Sequence, residues 1–170
     1  MSNVCVREYA AADAAATLDV FERSVRGLAH GSYSDAQIDA WVGSRTTAEW
    51  LAAREGQIGA VASFGEGGPL VGLVALELQD PAVGTVALLD LMFVVPEAAR
   101  QGVASALLEW AMGEARGAGA ARMSTFASHT ALPFFEKHGF VVEEERTVRR
   151  GGVELQNFAM SCSLQDAEGA

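Results

Sequence analysis

Residues 86–116, VALLDLMFVVPEAARQGVASALLEWAMGEAR, restrict the fold of this chain more than any other stretch. Val86 to Val95 is an apolar run broken only by Asp90, the pattern of a strand buried on both faces. Pro96 ends it, because proline has no N–H to give to a sheet ladder. Val103, Ala106, Leu107, Trp110 and Ala111 then recur at helical spacing, with Glu109 and Glu114 off the stripe. The spacing predicts a strand, a short turn and a helix, with Gly102 at the helix start and Arg100 beside it. A helix start carries N–H groups without intrahelical partners at the positive end of the helix dipole, where phosphate binds well. Glycine there lets a ligand approach the backbone. An ordinary strand–helix unit of an α/β domain has the same pattern, so these residues alone leave both readings open.

The totals narrow the class. A chain of 170 residues is most simply one domain, and half of the residues are hydrophobic, enough for one core. Mean hydropathy is +0.17, yet no apolar run is long enough to span a bilayer, so no membrane partner is expected. The start MSNVCVREYA lacks a basic stretch followed by an apolar core, so no secretory signal is expected and the expected location is cytoplasmic. Cys5 and Cys162 fit no zinc or redox spacing and read as buried free thiols. A net charge of −10 argues against nucleic acid as a partner. It weakly suits a cationic or amine substrate, although plain solubility explains it as well.

Along the chain, Val4 to Tyr9 reads as a first strand. Asp13 can cap a helix carrying Ala14, Leu18, Phe21 and Val25. Ser34 caps a second with Ile38 and Trp41, and Thr46 or Thr47 a short third with Trp50 and Leu51. Ile58 to Phe64 and Leu70 to Leu78 form an antiparallel hairpin around GEGGP. Residues 79–84 are a loop into the central strand. Beyond the central helix, Arg122 to Ala127 is a strand. Ala131 to His138 is a short helix with Pro133 in its first turn. Phe140 to Arg149 and Val153 to Leu164 pair around Gly151-Gly152. In the last strand the apolar phase slips at Asn157, so a bulge is expected there. The order of main elements, β-α-α-β-β-β-α-β-α-β-β, predicts a mixed α/β sheet with helices on both faces. Residues 165–170 read as a polar tail.

The central motif resembles motif A of the GNAT superfamily of N-acetyltransferases. Val94, Val95 and Pro96 match V-x-P, and Gly102, Val103 and Ala104 match G-x-[G/A]; Ala99 stands where the family usually has Gln or Arg. SYSDAQIDAW, with Tyr33, Ser34, Gln37, Ile38 and Trp41, resembles the narrower YafP-like bacterial acetyltransferases. Ala131, Phe134, Glu136, Gly139 and Phe140 resemble the family's last-helix signature. The resemblance covers about Val4 to Leu164 and implies one acetyltransferase domain over residues 1–164. It implies a splayed mixed sheet of about seven strands, with acetyl-CoA as co-substrate wedged at the central strand. Backbone groups of Met92, Phe93 and Val94 would hold the pantetheine arm and polarise the thioester. Arg100, Gln101, Gly102, Val103, Ala104 and Ser105 would take the pyrophosphate, and Ser128, where many members have Asn, would bond near the arm. The first two helices would wall the acceptor side, making Tyr33, Gln37 and Trp41 candidate substrate contacts. Packing explains Trp41 and Ile38 as well, and helix-start bonding explains Ser34 and Gln37.

Acyl transfer from a thioester to an amine needs a proton acceptor for the amine, a donor for the oxyanion, and in some cases an acid for the thiolate. The family's usual acid is a tyrosine, and that position here is Phe135. Tyr33, a water, or no acid at all can fill the role. Asp90 is the candidate base, on the expectation that a carboxylate deprived of water has a raised pKa; a structural hydrogen bond is the other reading. Glu77, His129 and His30 are weaker candidates, and His138 suits a helix C-terminus. No metal-ligand cluster, Ser-His-Asp order or Walker loop is visible, so no metal is expected. The acceptor implied is a small-molecule or peptide amine. A catalytically silent acyl-CoA-binding sensor or interaction module is the alternative, and the resemblance allows a homodimer.

Overall fold

Seven strands form one sheet in the order β1-β2-β3-β4-β5-β7-β6. They are β1 (Val4–Glu8), β2 (Ile58–Phe64), β3 (Leu70–Gln79), β4 (Val86–Val94), β5 (Arg122–Ala127), β6 (Val141–Arg150) and β7 (Val153–Ser163). The structure is a computed structural model and describes residues 3–79 and 85–165. All neighbours are antiparallel except β4 and β5, which are parallel. The expected mixed α/β sheet is therefore present. Residues 80–84 of the expected 79–84 loop and the tail beyond Gln165 lie outside the described residues.

The helices are α1 (Ala14–Leu28), α2 (Asp35–Val42), α3 (Thr47–Ala52), α4 (Val103–Gly117) and α5 (Leu132–Lys137). Three helices precede β2, so the short third one is real and adds an element to the expected order. Ser34 Oγ accepts from Gln37 N, while Gln37 Oε1 accepts from Ser34 N. Thr46 and Glu49 repeat this reciprocal box at α3. Asp13 does not cap α1. Its carboxylate is taken by Arg7 and by the Ala10 N–H at 2.9 Å, closing a 3-10 turn over Ala11–Asp13.

The amphipathic helices cover both faces of the sheet. Side chains alternate along a strand, so Leu73 and Phe93, paired across β3 and β4, share a face, and Gly72 and Val94 share the other. Phe21 of α1 meets Phe93 edge-on at 4.9 Å. On the opposite face α4 comes so close to β3 that a Cβ on Gly72 would sit 2.9 Å from both Leu107 and Val103. Leu107, Val103, Leu76 and Val74 are almost wholly excluded from water there.

Two further expectations change. The bulge lies on β6 at Glu143, where Val142 pairs Met160 but Glu144 pairs Ala159, and β7 runs straight through Asn157. The phase slip in β7 arises because its two halves bury opposite faces. Leu155 faces the α2 side, while Met160 and Cys162 line up with Thr125 and Met123 of β5. Cys162 is buried as expected, but Cys5 is only half-buried.

Candidate active site

The ladder between β4 and β5 is short. It runs from Val86–Arg122 to Leu89–Thr125 and stops. Beyond it β4 stays with β3, while Phe126 and Ala127 stay with β7. Thr125 Oγ1 donates to the Leu89 carbonyl at 2.9 Å at the fork. The next residue, Asp90, is the extra residue of a bulge, since Ala75 pairs Leu91 and Leu76 pairs Leu89. This fork corrects the reading of β4 as buried on both faces. Ala87 and Leu89 are buried, but Leu91 to Val94 are half-buried because β5 has left them.

The fork exposes main-chain groups. Val95 N donates to Val71 O, and backbone groups alternate sides along a strand. Phe93 therefore also turns its backbone toward β3, while Met92 and Val94 turn theirs to the open side. Of the three residues expected to hold the pantetheine arm through their backbone, Met92 and Val94 thus face the open edge and Phe93 does not. Phe93 contributes its ring to the cavity wall instead.

At the start of α4, Gly102 has φ +84°, and a Cβ built on it would meet nothing within 4 Å. Arg100 also lies in the left-handed region, at φ 59°. Among the described residues, no protein group accepts from the N–H groups of Arg100, Gln101, Gly102, Val103, Ala104 and Ser105. Two left-handed residues thus open a concave backbone turn in front of the helix N-terminus, a geometry suited to phosphate oxygens. Gln101 braces the turn by donating to Glu97 O at 2.7 Å. His138 bonds the Phe134 carbonyl of α5 through Nδ1, as its place at the helix end suggested, and its Nε2 lies 3.4 Å from Ser105 Oγ.

On the other side of β4 lies a cavity of about 420 Å³. Tyr33, Trp41, Phe93 and Phe126 supply its aromatic wall, Asp90 its carboxylate, and Arg45, Arg54, Arg146 and Arg150 its cations. Tyr33 is buried, with its hydroxyl donating to Gln156 O at 2.9 Å and accepting from His129 N at 3.0 Å. Burial pushes its phenol pKa up, partly offset by the His129 N–H. Trp41 is half-buried, edge-on to Tyr33 at 5.5 Å. Gln37 is not among the lining residues. Its amide closes the α2 cap and donates to Glu154 O at 3.0 Å. Ser128 lines the cavity and accepts from Ala131 N at 3.1 Å, leaving its own proton to give.

Asp90 departs from expectation. It is solvent-exposed, so it is not a carboxylate deprived of water; the bulge projects it into the cleft. Gln57 Nε2 donates to both Asp90 Oδ2 at 2.8 Å and Glu77 Oε1 at 2.7 Å. Phe135, at the usual acid position, is buried against Phe134 and Phe140. His129 packs edge-on to Phe158 and bonds Gln156, outside the cavity lining. His30 is exposed beside Asp35. The arginines were missed, because they come from three separate segments and share no spacing. The available signal was compositional: eleven arginines against one lysine, a bias toward the side chain that forks onto anions.

A fork with free main-chain donors, an anion cradle on one side and a walled cavity on the other make a two-substrate cleft of the acyltransferase type. The acetyltransferase (GNAT) domain family matches residues 29–162. The chain is 30% identical over 162 residues to the uncharacterized N-acetyltransferase YafP of Escherichia coli K12, covering 94% of this chain and 96% of that protein. A solved GCN5-related N-acetyltransferase from Rhodopseudomonas palustris superposes with TM-score 0.85 at 30% identity, over 96% of this chain and 97% of that one. PaiA N-acetyltransferase from Thermoplasma acidophilum, solved with coenzyme A, gives 0.75 at 19% identity, over 95% and 99%. This chain belongs to the GNAT acetyltransferases, enzymes that take their acetyl group from acetyl-CoA. No helix among the described residues is long and apolar enough to cross a membrane.

Proposed function

We propose that the protein moves the acetyl group of acetyl-CoA to a primary amine by direct attack in a ternary complex. The observation that carries this reading is the fork after Leu89, which puts free backbone groups of Met92 and Val94 between the α4 cradle and the cavity. The residues fit acetyl-CoA: unpartnered N–H groups at 100–105 for the pyrophosphate, the open edge of β4 for the pantetheine amides, and the Ser128 hydroxyl beside them. One of the β4 N–H groups serves as donor to the developing oxyanion.

The amine nitrogen attacks the thioester carbon; the C–N bond forms and the C–S bond breaks. The amine proton passes to Asp90, the one carboxylate lining the cavity among the described residues, directly or through a water. Tyr33 is the proposed acid for the thiolate, since its raised pKa keeps it protonated at neutral pH. It must release Gln156 O to donate.

The test is calorimetric titration with acetyl-CoA and with free CoA, followed by thiol release with a panel of amines. Saturable binding and amine-dependent thiol release are expected. Binding without amine-dependent release would make this a CoA-binding module, and a folded protein that binds neither would refute the cradle.

A further inference from the structure

The acceptor cavity is cationic in a chain that is strongly anionic. Among the described residues Arg45, Arg54, Arg146 and Arg150 line it, against Asp90 alone. The net charge, which weakly suited a cationic or amine substrate, is therefore a poor guide to the charge of the cavity itself. At physiological ionic strength a surface charge is screened beyond about 8 Å, so the arginines in the cleft decide what it binds, not the acids elsewhere.

These arginines also differ from most of the others in lacking a carboxylate partner. Elsewhere, Arg7, Arg23, Arg26, Arg122 and Arg149 each reach a carboxylate, and Arg116 donates to the Leu164 carbonyl. Among the described residues no carboxylate lies within ion-pair distance of any of the four in the cavity, although the chain has 22 acidic side chains. Arg54 stands between two cavities: its guanidinium lies 4.5 Å above the Trp50 ring, and its Nε and Nη1 are buried with no hydrogen-bond partner, as are Tyr9 Oη and Gln57 Oε1, whose residues line a small second cavity with it. A buried guanidinium donor without a partner is costly. Arg146 is held over Phe126 at 4.2 Å and Arg45 over Phe21 at 5.2 Å. Stacking holds Arg146 and Arg54 in place, while Arg45 is also tied through Nη1 to the Val42 carbonyl at 2.5 Å; guanidinium forks held this way favour planar or tetrahedral oxyanions.

We infer that the acceptor is a small amine that also carries an anionic group, a carboxylate or a phosphonate, of the size of an amino acid. The arginines hold the anion, Tyr33, Trp41 and Phe93 pack the body, and the amine is left to face Asp90 and the fork. The inference rests on the acetyl-transfer reading above and names the substrate class of that same site.

The experiment measures acetyl transfer to matched pairs: L-phenylalanine against phenethylamine and L-phenylalaninamide, and 2-aminoethylphosphonate against ethanolamine. A kcat/KM at least about tenfold higher for the anionic member of a pair is expected, the worth of one charge-assisted hydrogen bond to an arginine. Whether carboxylate or phosphonate leads identifies the anion. Arg54→Gln should raise KM for the anionic acceptor about tenfold while leaving KM for acetyl-CoA unchanged. Exposed Arg150→Gln should act in the same direction without risk to the fold. Equal or faster turnover of the uncharged or cationic members overturns this inference and leaves acetyl transfer standing. Binding of acetyl-CoA with no turnover of any amine overturns both.

Discussion

Thr125 and Leu89 stand opposite each other at the last rung of the β4–β5 ladder, and the Thr125 hydroxyl donates to the Leu89 carbonyl at 2.9 Å. This bond lies where the sheet parts, so it fixes where the cleft begins. Thr125→Val keeps the shape and removes the donor, leaving a buried carbonyl unsatisfied. The expected cost is about 1–3 kcal/mol of stability, read from urea unfolding at unchanged slope. A variant as stable as the parent would show that the fork does not need this bond.

The cradle at α4 makes a separable prediction. Gly102 has φ +84° and open space where a Cβ would go. Gly102→Ala meets only the backbone penalty, about 1 kcal/mol, and keeps most acetyl-CoA affinity. Gly102→Trp meets the same penalty and also fills the cradle, so acetyl-CoA binding by calorimetry should be lost in a variant that still folds. Intact affinity for the tryptophan variant would refute the assignment of the pyrophosphate site.

These elements differ in how far the sequence revealed them. Helix periodicity, proline stops and glycine turns are local signals, so α4, the β2–β3 hairpin and the Gly151-Gly152 turn were all visible in short windows. The wetness of Asp90 was not, because it depends on where β5, far along the chain, leaves β4. The bulge in the β6–β7 pair was expected at Asn157 because the phase slips there; the slip instead reflects two halves of β7 facing different neighbours. Trp41 could serve core or cleft by its spacing alone, and only the packing of α2 against β7 puts it on the cavity wall. The cluster of Arg45, Arg54, Arg146 and Arg150 has no local signature, since the fold assembles it from distant segments.

Asp13 gives a pH prediction remote from the cleft. The hydrogen bond from Arg7 holds its carboxyl below the usual carboxylate range; desolvation opposes this, and the Ala10 N–H and the Arg7 charge add to the lowering. A depressed folded pKa stabilises the protein above the unfolded value, near 4, and that contribution is lost as pH falls through the folded value. Asp13→Asn keeps an oxygen for Ala10 and removes the charge. Its urea midpoint should lie below the parent's at pH 7, and the gap should shrink below about pH 4. A gap independent of pH would mean that packing, not charge, holds the turn.

Asp90→Asn tests the base. General-base catalysis is worth about a hundredfold or more, so kcat/KM for the amine should fall by that order. The acid limb of the pH–rate curve should flatten or move, while acetyl-CoA affinity holds. An unchanged curve would give Asp90 a purely structural role, with Gln57 as its partner at 2.8 Å.

Tyr33 ties together the α1–α2 connection, β7 and the segment after β5, because one hydroxyl serves both Gln156 O and His129 N. Tyr33→Phe removes both bonds, and the His129 N–H then lacks its acceptor. Stability should drop by about 1–3 kcal/mol, a loss that says nothing about catalysis. The catalytic readout is kcat in a variant shown to be folded at the assay temperature. If Tyr33 protonates the thiolate, kcat falls by about a hundredfold while KM for acetyl-CoA stays put. The fall should also be smaller for thioesters whose thiol is more acidic, since a better leaving group needs less help. A kcat that tracks only the lost stability would mean that the coenzyme A thiolate departs unaided, which buried Phe135 at the usual acid position already permits.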